Sequence, residues 1–376
     1  MGSKARGLAD LGNVYNDGAL SNRNLIINGA MTVAQRGTSD VTGLTEADDG
    51  YKTVDRWKYV ASSSSNTGQI TMSFETDAPN GFKYSTKYLV TTADTDMGTN
   101  SALRLETHLE AQNLRHLNYG SSDAQQVTLS FWVKSNKTGS YSAGLYMDSA
   151  TGDKEISQAY TVNSADTWEY KALTFSANTA TTMNPTDNDH GLRVWFQQAS
   201  GSDYTSGSSN TWGDSSQRAV GQSVNLYDTV NNYWQITGVQ LEVGDTATPF
   251  EHPRSYGDEL ARCKRYYEKS YNQGTALATA TALGARSSGG NQAANTTGEV
   301  GTYLSFAASK RAAPSVTIYD LAGNSGKTTI SLYGTGTTAN QTGSVSSIGQ
   351  GSFFVSRPSG SNATELHVHF TADAEL

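Results

Sequence analysis

Apolar and polar residues alternate along most of this chain with a period of two. In Val127-Thr-Leu-Ser-Phe-Trp-Val133, the residues Val127, Leu129, Phe131 and Val133 point one way. Thr128, Ser130 and Trp132 point the other, as successive side chains on a strand must. The same reading predicts strands over 54–61, 69–75, 88–92, 103–108, 141–147, 168–175, 192–197 and 234–243. Turn chemistry separates them: Ala-Pro-Asn-Gly at 78–81, Thr-Gly-Asp at 151–153 and Gly-Ser-Asp at 201–203. Many short strands with polar turns and little helical periodicity predict an all-β chain built from antiparallel sandwiches.

One stretch breaks the alternation. Residues 256–269 hold good helix formers, with Leu260, Cys263 and Tyr267 spaced three and four apart. Asp258 and Glu259 open the stretch and Lys269 closes it, which complements a helix dipole. A short helical connector over 256–272 is therefore expected between a large β domain (24–255) and a smaller β-sandwich (273–376). The smaller domain begins with a Gly/Ala/Ser/Asn-rich stretch, 284–301, that reads as loop. Strands are then predicted at 300–306, 315–319, 328–333, 343–348, 353–357 and 365–371. Residues 1–23 are polar and show no period, as expected of an arm that is disordered or ordered by a partner.

Composition narrows the function classes. The 376 residues carry 27 Lys and Arg against 35 Asp and Glu, a net charge of −8, and only 16% are charged. Ser and Thr fill the gap at roughly a quarter of the chain, which suits half-solvated pleated surfaces. An acidic chain without basic clusters is a poor nucleic-acid binder. Its one cysteine, Cys263, excludes an internal disulfide framework and a Cys-rich zinc site. No apolar run approaches the ~18 residues of a membrane span, so no membrane insertion is expected. The start Met-Gly-Ser-Lys-Ala-Arg lacks an apolar core, so no secretory leader is expected either.

Candidate chemistry is sparse. Gly323-Asn-Ser-Gly-Lys-Thr328 looks like a phosphate-cradling loop, but Leu321 stands where a further Gly is needed. The residues after Lys327 also alternate like a strand, so a hairpin is the better reading. His367 and His369 face one side of a predicted strand and are weak metal candidates. Three copies of the pair around an axis could supply six nitrogens. No Gly-x-Ser-x-Gly nucleophile motif occurs, and carboxylate pairs such as Glu106/Glu110 and Glu242/Asp245 are ordinary in an acidic chain. No enzyme activity is therefore expected.

Aromatic residues are the most functional-looking feature, with 6 Trp and 20 Tyr. Exposed Trp and Tyr rings can cover apolar sugar faces while their polar tips stay wet. Trp57, Trp168 and Trp234 sit among apolar neighbours in predicted strands and read as core. Trp212 and Tyr204 lie in a Gly/Ser/Asn-rich loop, 199–216, and are the candidate ligand-binding residues. Burial of the same two rings under a folded-back loop is the competing reading.

Asn24-Leu-Ile-Ile-Asn-Gly-Ala-Met-Thr-Val-Ala-Gln-Arg-Gly37 and Thr53-Val-Asp-Arg-Trp57 are similar to the opening of the large β domain of bacteriophage tail-fibre and virion proteins, most of all those of marine cyanophages. Gln235-Ile-Thr-Gly-Val-Gln-Leu-Glu-Val-Gly-Asp-Thr-Ala-Thr-Pro-Phe-Glu251 resembles its closing strand, and residues 254–267 resemble the connector that follows. Residues 5–12, 17–23 and 370–376 also look like phage versions, whereas 273–369 match only in general character.

The resemblance implies a jelly roll like that of carbohydrate-binding modules, carried by a virion protein assembled in the infected bacterial cytoplasm. It implies a tail fibre or receptor-binding appendage, non-catalytic, whose partners are itself as a homotrimer, other virion proteins and host surface polysaccharide. Docking on the particle would fall to the arm 1–23, through Leu8, Leu11, Val14 and Tyr15. A capsid decoration protein with purely structural contacts and a component of a glycan depolymerase are the alternatives. Jelly-roll modules of this kind often hold structural calcium, but no oxygen-ligand loop here is distinctive, and no cofactor is expected.

Overall fold

The computed structural model describes residues 23–62, 67–184, 186–214, 216–288, 300–332, 336–357 and 363–376. The expected docking residues Leu8, Leu11, Val14 and Tyr15 lie outside the described residues. The chain divides into two compact units. Unit 1 takes Ser39–Arg254 with the residues up to Thr32, and unit 2 takes Val33–Thr38 with Ser255–Leu376.

Unit 1 holds twelve strands among its described residues. They are β1 (Val41–Leu44), β2 (Gly50–Tyr51), β3 (Lys58–Ser62), β4 (Gln69–Glu75), β5 (Ser85–Thr92) and β6 (Ala102–Glu110). The others are β7 (Val127–Ser135), β8 (Gly139–Met147), β9 (Lys154–Val162), β10 (Glu169–Phe175), β11 (His190–Ser200) and β12 (Tyr233–Val243). Sheet A has the order β1-β4-β5-β12-β7-β10 and sheet B the order β2-β3-β6-β11-β8-β9, with antiparallel pairings throughout. This is a jelly-roll-like sandwich.

Alternation decides what lies between the sheets. Val127, Leu129, Phe131 and Val133 of sheet A face Leu103, Leu105, Leu192, Val194 and Phe196 of sheet B in one core. Edge-to-face and tilted aromatic contacts run through it, from Tyr59 to Tyr88, Trp234, Phe196 and Trp57. The Trp234 indole satisfies its N–H on the Tyr160 hydroxyl at 3.0 Å.

The strings at the two ends of the large β domain meet in space. The Asn24 side chain accepts from the Leu241 N–H and donates to the Val239 carbonyl, at 3.1 Å each. Gly29 lies so near β12 that a Cβ would sit 2.0 Å from the Val239 oxygen. Asn28, in the left-handed region at φ 61, accepts from Thr32 N–H and receives the Trp57 indole N–H on its carbonyl. Asn and Gly adopt that conformation most readily, which accounts for Asn28, while the close approach to Val239 accounts for Gly29.

Unit 2 has the helix α1 (Tyr256–Lys264), capped by the Ser255 side chain, which accepts from the Asp258 N–H. The helical pattern expected to continue to 269 stops early, because Tyr267–Lys269 forms strand β13. Its remaining described strands are β14 (Arg286–Ser287), β15 (Val300–Ser305), β16 (Ser315–Tyr319), β17 (Lys327–Leu332), β18 (Gly336–Thr342), β19 (Ser344–Ser346), β20 (Ser352–Arg357) and β21 (Ala363–Asp373). β21 is the organiser: it pairs with β13, β14, β16 and β17. A three-stranded sheet, β15-β20-β19, packs Leu304, Phe353 and Val355 with Ile318, Leu366, Val368 and Phe370 of the larger sheet. Arg36 belongs here too, lying 3.7 Å over the Tyr267 ring and bonding Asp373 and Glu375.

The phosphate-loop lookalike is a tight turn closed by an isolated antiparallel bridge between Tyr319 and Ser325. The flanking β16 and β17 both pair with β21 and not with each other, which corrects the expected hairpin. Asp320 accepts from the backbone N–H groups of Ala322 and Asn324, and from that of Asn340. A carboxylate, not a phosphate, occupies the donors of this turn.

Candidate functional site

The polar face of sheet A carries an aromatic strip. Trp132 on β7 stands directly opposite Tyr170 on β10, with ring centroids 5.5 Å apart. On its other side Trp132 is opposite Thr237 of β12, where the pairing register slips before Gln240. Gly238 occupies this bulge at φ 63, and a Cβ there would lie 2.6 Å from Phe82 and 3.1 Å from Trp132. Glycine thus serves twice: it takes the left-handed backbone of the bulge and leaves room for two rings above it. Phe82 continues the strip to Phe250 at 5.0 Å and His252 at 5.2 Å.

The strip is open to solvent. Tyr170 is 45% exposed and His252 is exposed, while Trp132, Phe82 and Phe250 are half-buried. The rings of Tyr170 and Trp132 stand on neighbouring strands ~4.8 Å apart, and the Phe82 group extends the strip over Gly238 of the next strand, β12. Polar groups border them. Trp168 donates its indole N–H to Asp77 Oδ1 at 3.2 Å, and Lys134 Nζ pairs with Asp77 Oδ2 at 2.8 Å. Burial is the largest single influence and raises the Asp77 carboxyl, but Lys134, the Trp168 N–H and Gln235 together outweigh it and hold the group below its ordinary value. Rings with flat open faces beside fixed donors and acceptors are the chemistry that recognises a sugar.

Glu169 locks the strand that presents Trp168 and Tyr170. It accepts from the backbone N–H groups of Asn163 and Ser164 and from Lys171 Nζ at 2.6 Å. Burial pushes its pKa up, yet these bonds win and bring it down to about 2. A carboxyl with a lowered folded pKa stabilises fully above its unfolded value of about 4.3 and loses that contribution as pH falls through about 2. Glu169→Gln is expected to cost about 1–2 kcal/mol at pH 6, the group being partly open to water. The difference should vanish near pH 2 in denaturant titrations, and an unchanging difference across that range would contradict this account.

The residues singled out from sequence lie elsewhere. Trp212 is half-buried, donates to the Ser176 carbonyl at 2.7 Å and meets Tyr119 edge-to-face at 5.8 Å. The expectation of a solvent-exposed Trp212 is therefore corrected. Its neighbour Gly213 exchanges two backbone hydrogen bonds with Glu155 on edge strand β9, so the loop closes that edge. Tyr204 is half-exposed, with the Arg218 guanidinium 4.8 Å over its ring. The two rings have different partners, Arg218 for Tyr204 and Tyr119 with the Ser176 carbonyl for Trp212. Trp168, expected in the core, is half-exposed, because the strand begins one residue later and its indole reaches Asp77.

His367 and His369 share a side of β21 but not a role. His369 is fully buried, stacked on Tyr271 at 3.8 Å, with Nδ1 bonded to Ser270 and Nε2 to the Thr281 carbonyl. Both its nitrogens are taken. His367 Nε2 bonds Ser331 at 2.7 Å and lies 3.3 Å from Glu365. Among the described residues no group of three or more His, Cys, Asp or Glu is placed to hold a metal ion.

The outer face of sheet B is polar and closed. Arg104 and His108 both bond Glu106 at 2.8 Å, and residues 217–220 cover Ser157 and Trp195 with backbone carbonyls and an N–H. Burial would raise the Glu106 carboxyl, but Arg104 and His108 hold it well below the usual range. It is an ion-paired acceptor and no proton donor.

No protein-family model matches the chain, and no curated protein does. Solved structures align with part of it. The chain is similar to the enzymatically active domain of tailspike protein 4 of bacteriophage CBA120, at 14% identity and TM-score 0.32. That alignment covers 59% of this chain and 22% of the tailspike chain, so it spans about a fifth of that structure. A family 11 carbohydrate-binding module of a Clostridium thermocellum cellulase aligns at 11% identity and TM-score 0.27, over 57% of this chain and 99% of the module. The N-terminal cellulose-binding domain of a Cellulomonas fimi β-1,4-glucanase gives 11% and 0.27, over 50% and 90%.

Proposed function

We propose that the chain is a non-catalytic, glycan-binding component of a phage virion, a tail fibre or related appendage that contacts host surface polysaccharide. The observation that carries the glycan reading is the open aromatic strip of Tyr170, Trp132 and Phe82, bordered by Asp77, Lys134 and Trp168. The sugar ring would lie on Trp132 and Tyr170, and its hydroxyls would reach the Asp77 and Lys134 edge. The virion reading draws on the phage-like strings at residues 24–37, 53–57 and 235–267. A homotrimer is the assembly expected, and several copies per particle would multiply a weak single site through effective concentration.

A glycan array carrying host surface polysaccharides tests the site, with Trp132→Ala and Tyr170→Ala beside the wild type. Each substitution should weaken binding at least tenfold, about 1.4 kcal/mol, without unfolding the protein. Binding that survives both substitutions would remove the strip from the site. Purified particles lacking this chain by mass spectrometry would remove the virion reading.

A further inference from the structure

The outward face of the small sheet β15-β20-β19 in unit 2 has a composition unlike the rest of the surface. Alternation sends Leu304, Phe353 and Val355 inward, so Tyr303 and Phe354 point out. They stand opposite each other in the pairing, with ring centroids 5.0 Å apart. Tyr303 is 64% exposed, and Phe354 lies across Gly301, where a Cβ would come within 2.4 Å of its ring. The remaining outward positions are the exposed Ser305, Ser344 and Ser346, the half-exposed Ser352 and the buried Ser356. No charged residue stands on this face of the three strands.

We propose that this face is a second glycan-binding surface, for neutral polysaccharide. The Tyr303 ring is open, backed by the half-buried Phe354 and framed by the hydroxyls of Ser305, Ser344 and Ser346. Together they offer an apolar sugar face its stacking partner and sugar hydroxyls their hydrogen bonds, with no charge to attract a polyanion. Size argues against a protein partner. Three short strands ~4.8 Å apart and at most about six residues long present on the order of 200–300 Å², against the ~800 Å² per partner of a stable interface. The residues are distinct from the strip of unit 1, so each site fails or stands on its own variants.

The test uses the full chain with the strip disabled by Trp132→Ala and Tyr170→Ala. Affinity electrophoresis is run through gels containing mixed-linkage β-glucan, galactan, galactomannan or xylan, with polygalacturonate as the charged comparison. Retention should persist on at least one neutral polymer, fall at least tenfold with Tyr303→Ala and return with Tyr303→Trp. Circular dichroism should show all variants folded, since Tyr303 lies outside the core. Retention on none of the four neutral polymers, or retention indifferent to Tyr303→Ala, overturns the proposal. So does dissociation of an oligomer by Tyr303→Ala in sedimentation, which would make the face a contact between copies.

Discussion

Lys310→Ala is expected to lower the stability of the C-terminal unit by about 3–5 kcal/mol, a large share of what a domain of this size possesses. The Lys310 ammonium is fully buried, 2.8 Å from Glu268 Oε2, and also donates to the Lys264 carbonyl. Glu268 is buried as well and accepts from the Ala307 N–H at 3.0 Å. Burial drives the Lys310 pKa down and Glu268 only partly restores it, so the charge is retained at a cost. Removing the lysine leaves a carboxylate in the interior with one remaining donor, which is why the single variant should be so damaging. Lys310→Met combined with Glu268→Gln should recover most of the loss, because an amide oxygen still serves Ala307 and no net charge stays buried. Urea titrations followed by circular dichroism measure both. A loss below 1 kcal/mol for Lys310→Ala would refute the argument.

Trp212→Ala should cost about 2–4 kcal/mol, toward the lower part of the range for removing a large ring, because the side chain is only half-buried. The ring plugs the flank of the sandwich where sheets A and B come close. It contacts Tyr119 and bonds the Ser176 carbonyl just beyond β10, while Gly213 pairs with β9. Trp212→Phe should lose about 1 kcal/mol, the net worth of the indole hydrogen bond. Glycan binding by the folded variants should match wild type. A Trp212→Ala protein of unchanged stability that no longer binds glycan would restore the loop as the ligand site.

Alternation carried the sequence reading far. It placed Val127, Leu129, Phe131 and Val133 inward and Trp132 outward, and the structure agrees at every one of these positions. Where the period breaks, local pattern was silent. The bulge between Thr237 and Gln240 changes which residues of β12 face the core, and no alternation rule announces it. The strip is not legible in the sequence because its rings come from two strands and two loops, and only the fold brings Phe82 and Phe250 beside Trp132. Trp212 is half-buried for a physical reason that local composition does not announce: a Gly/Ser-rich loop reads as solvent-facing, yet this one pairs with edge strand β9 and packs its indole on Tyr119. His369 sat in a tidy His-x-His spacing, but the stacking with Tyr271 that consumes its ring face comes from a residue 98 positions away.

The central position of β21 also fixes when unit 2 can fold during synthesis. β13 lies at 267–269, yet its partner residues are 371–373, and β14, β16 and β17 wait for the same strand. Roughly a hundred residues must leave the ribosome before that pairing can begin, at ~5–20 residues per second. Unit 1 has by then been complete since Arg254 and can already be closed. Until β21 is made, the early strands of unit 2 present unpaired edges, and Ser315 and Thr317 of β16 with Lys327, Thr328, Thr329 and Ser331 of β17 keep those edges polar during the wait.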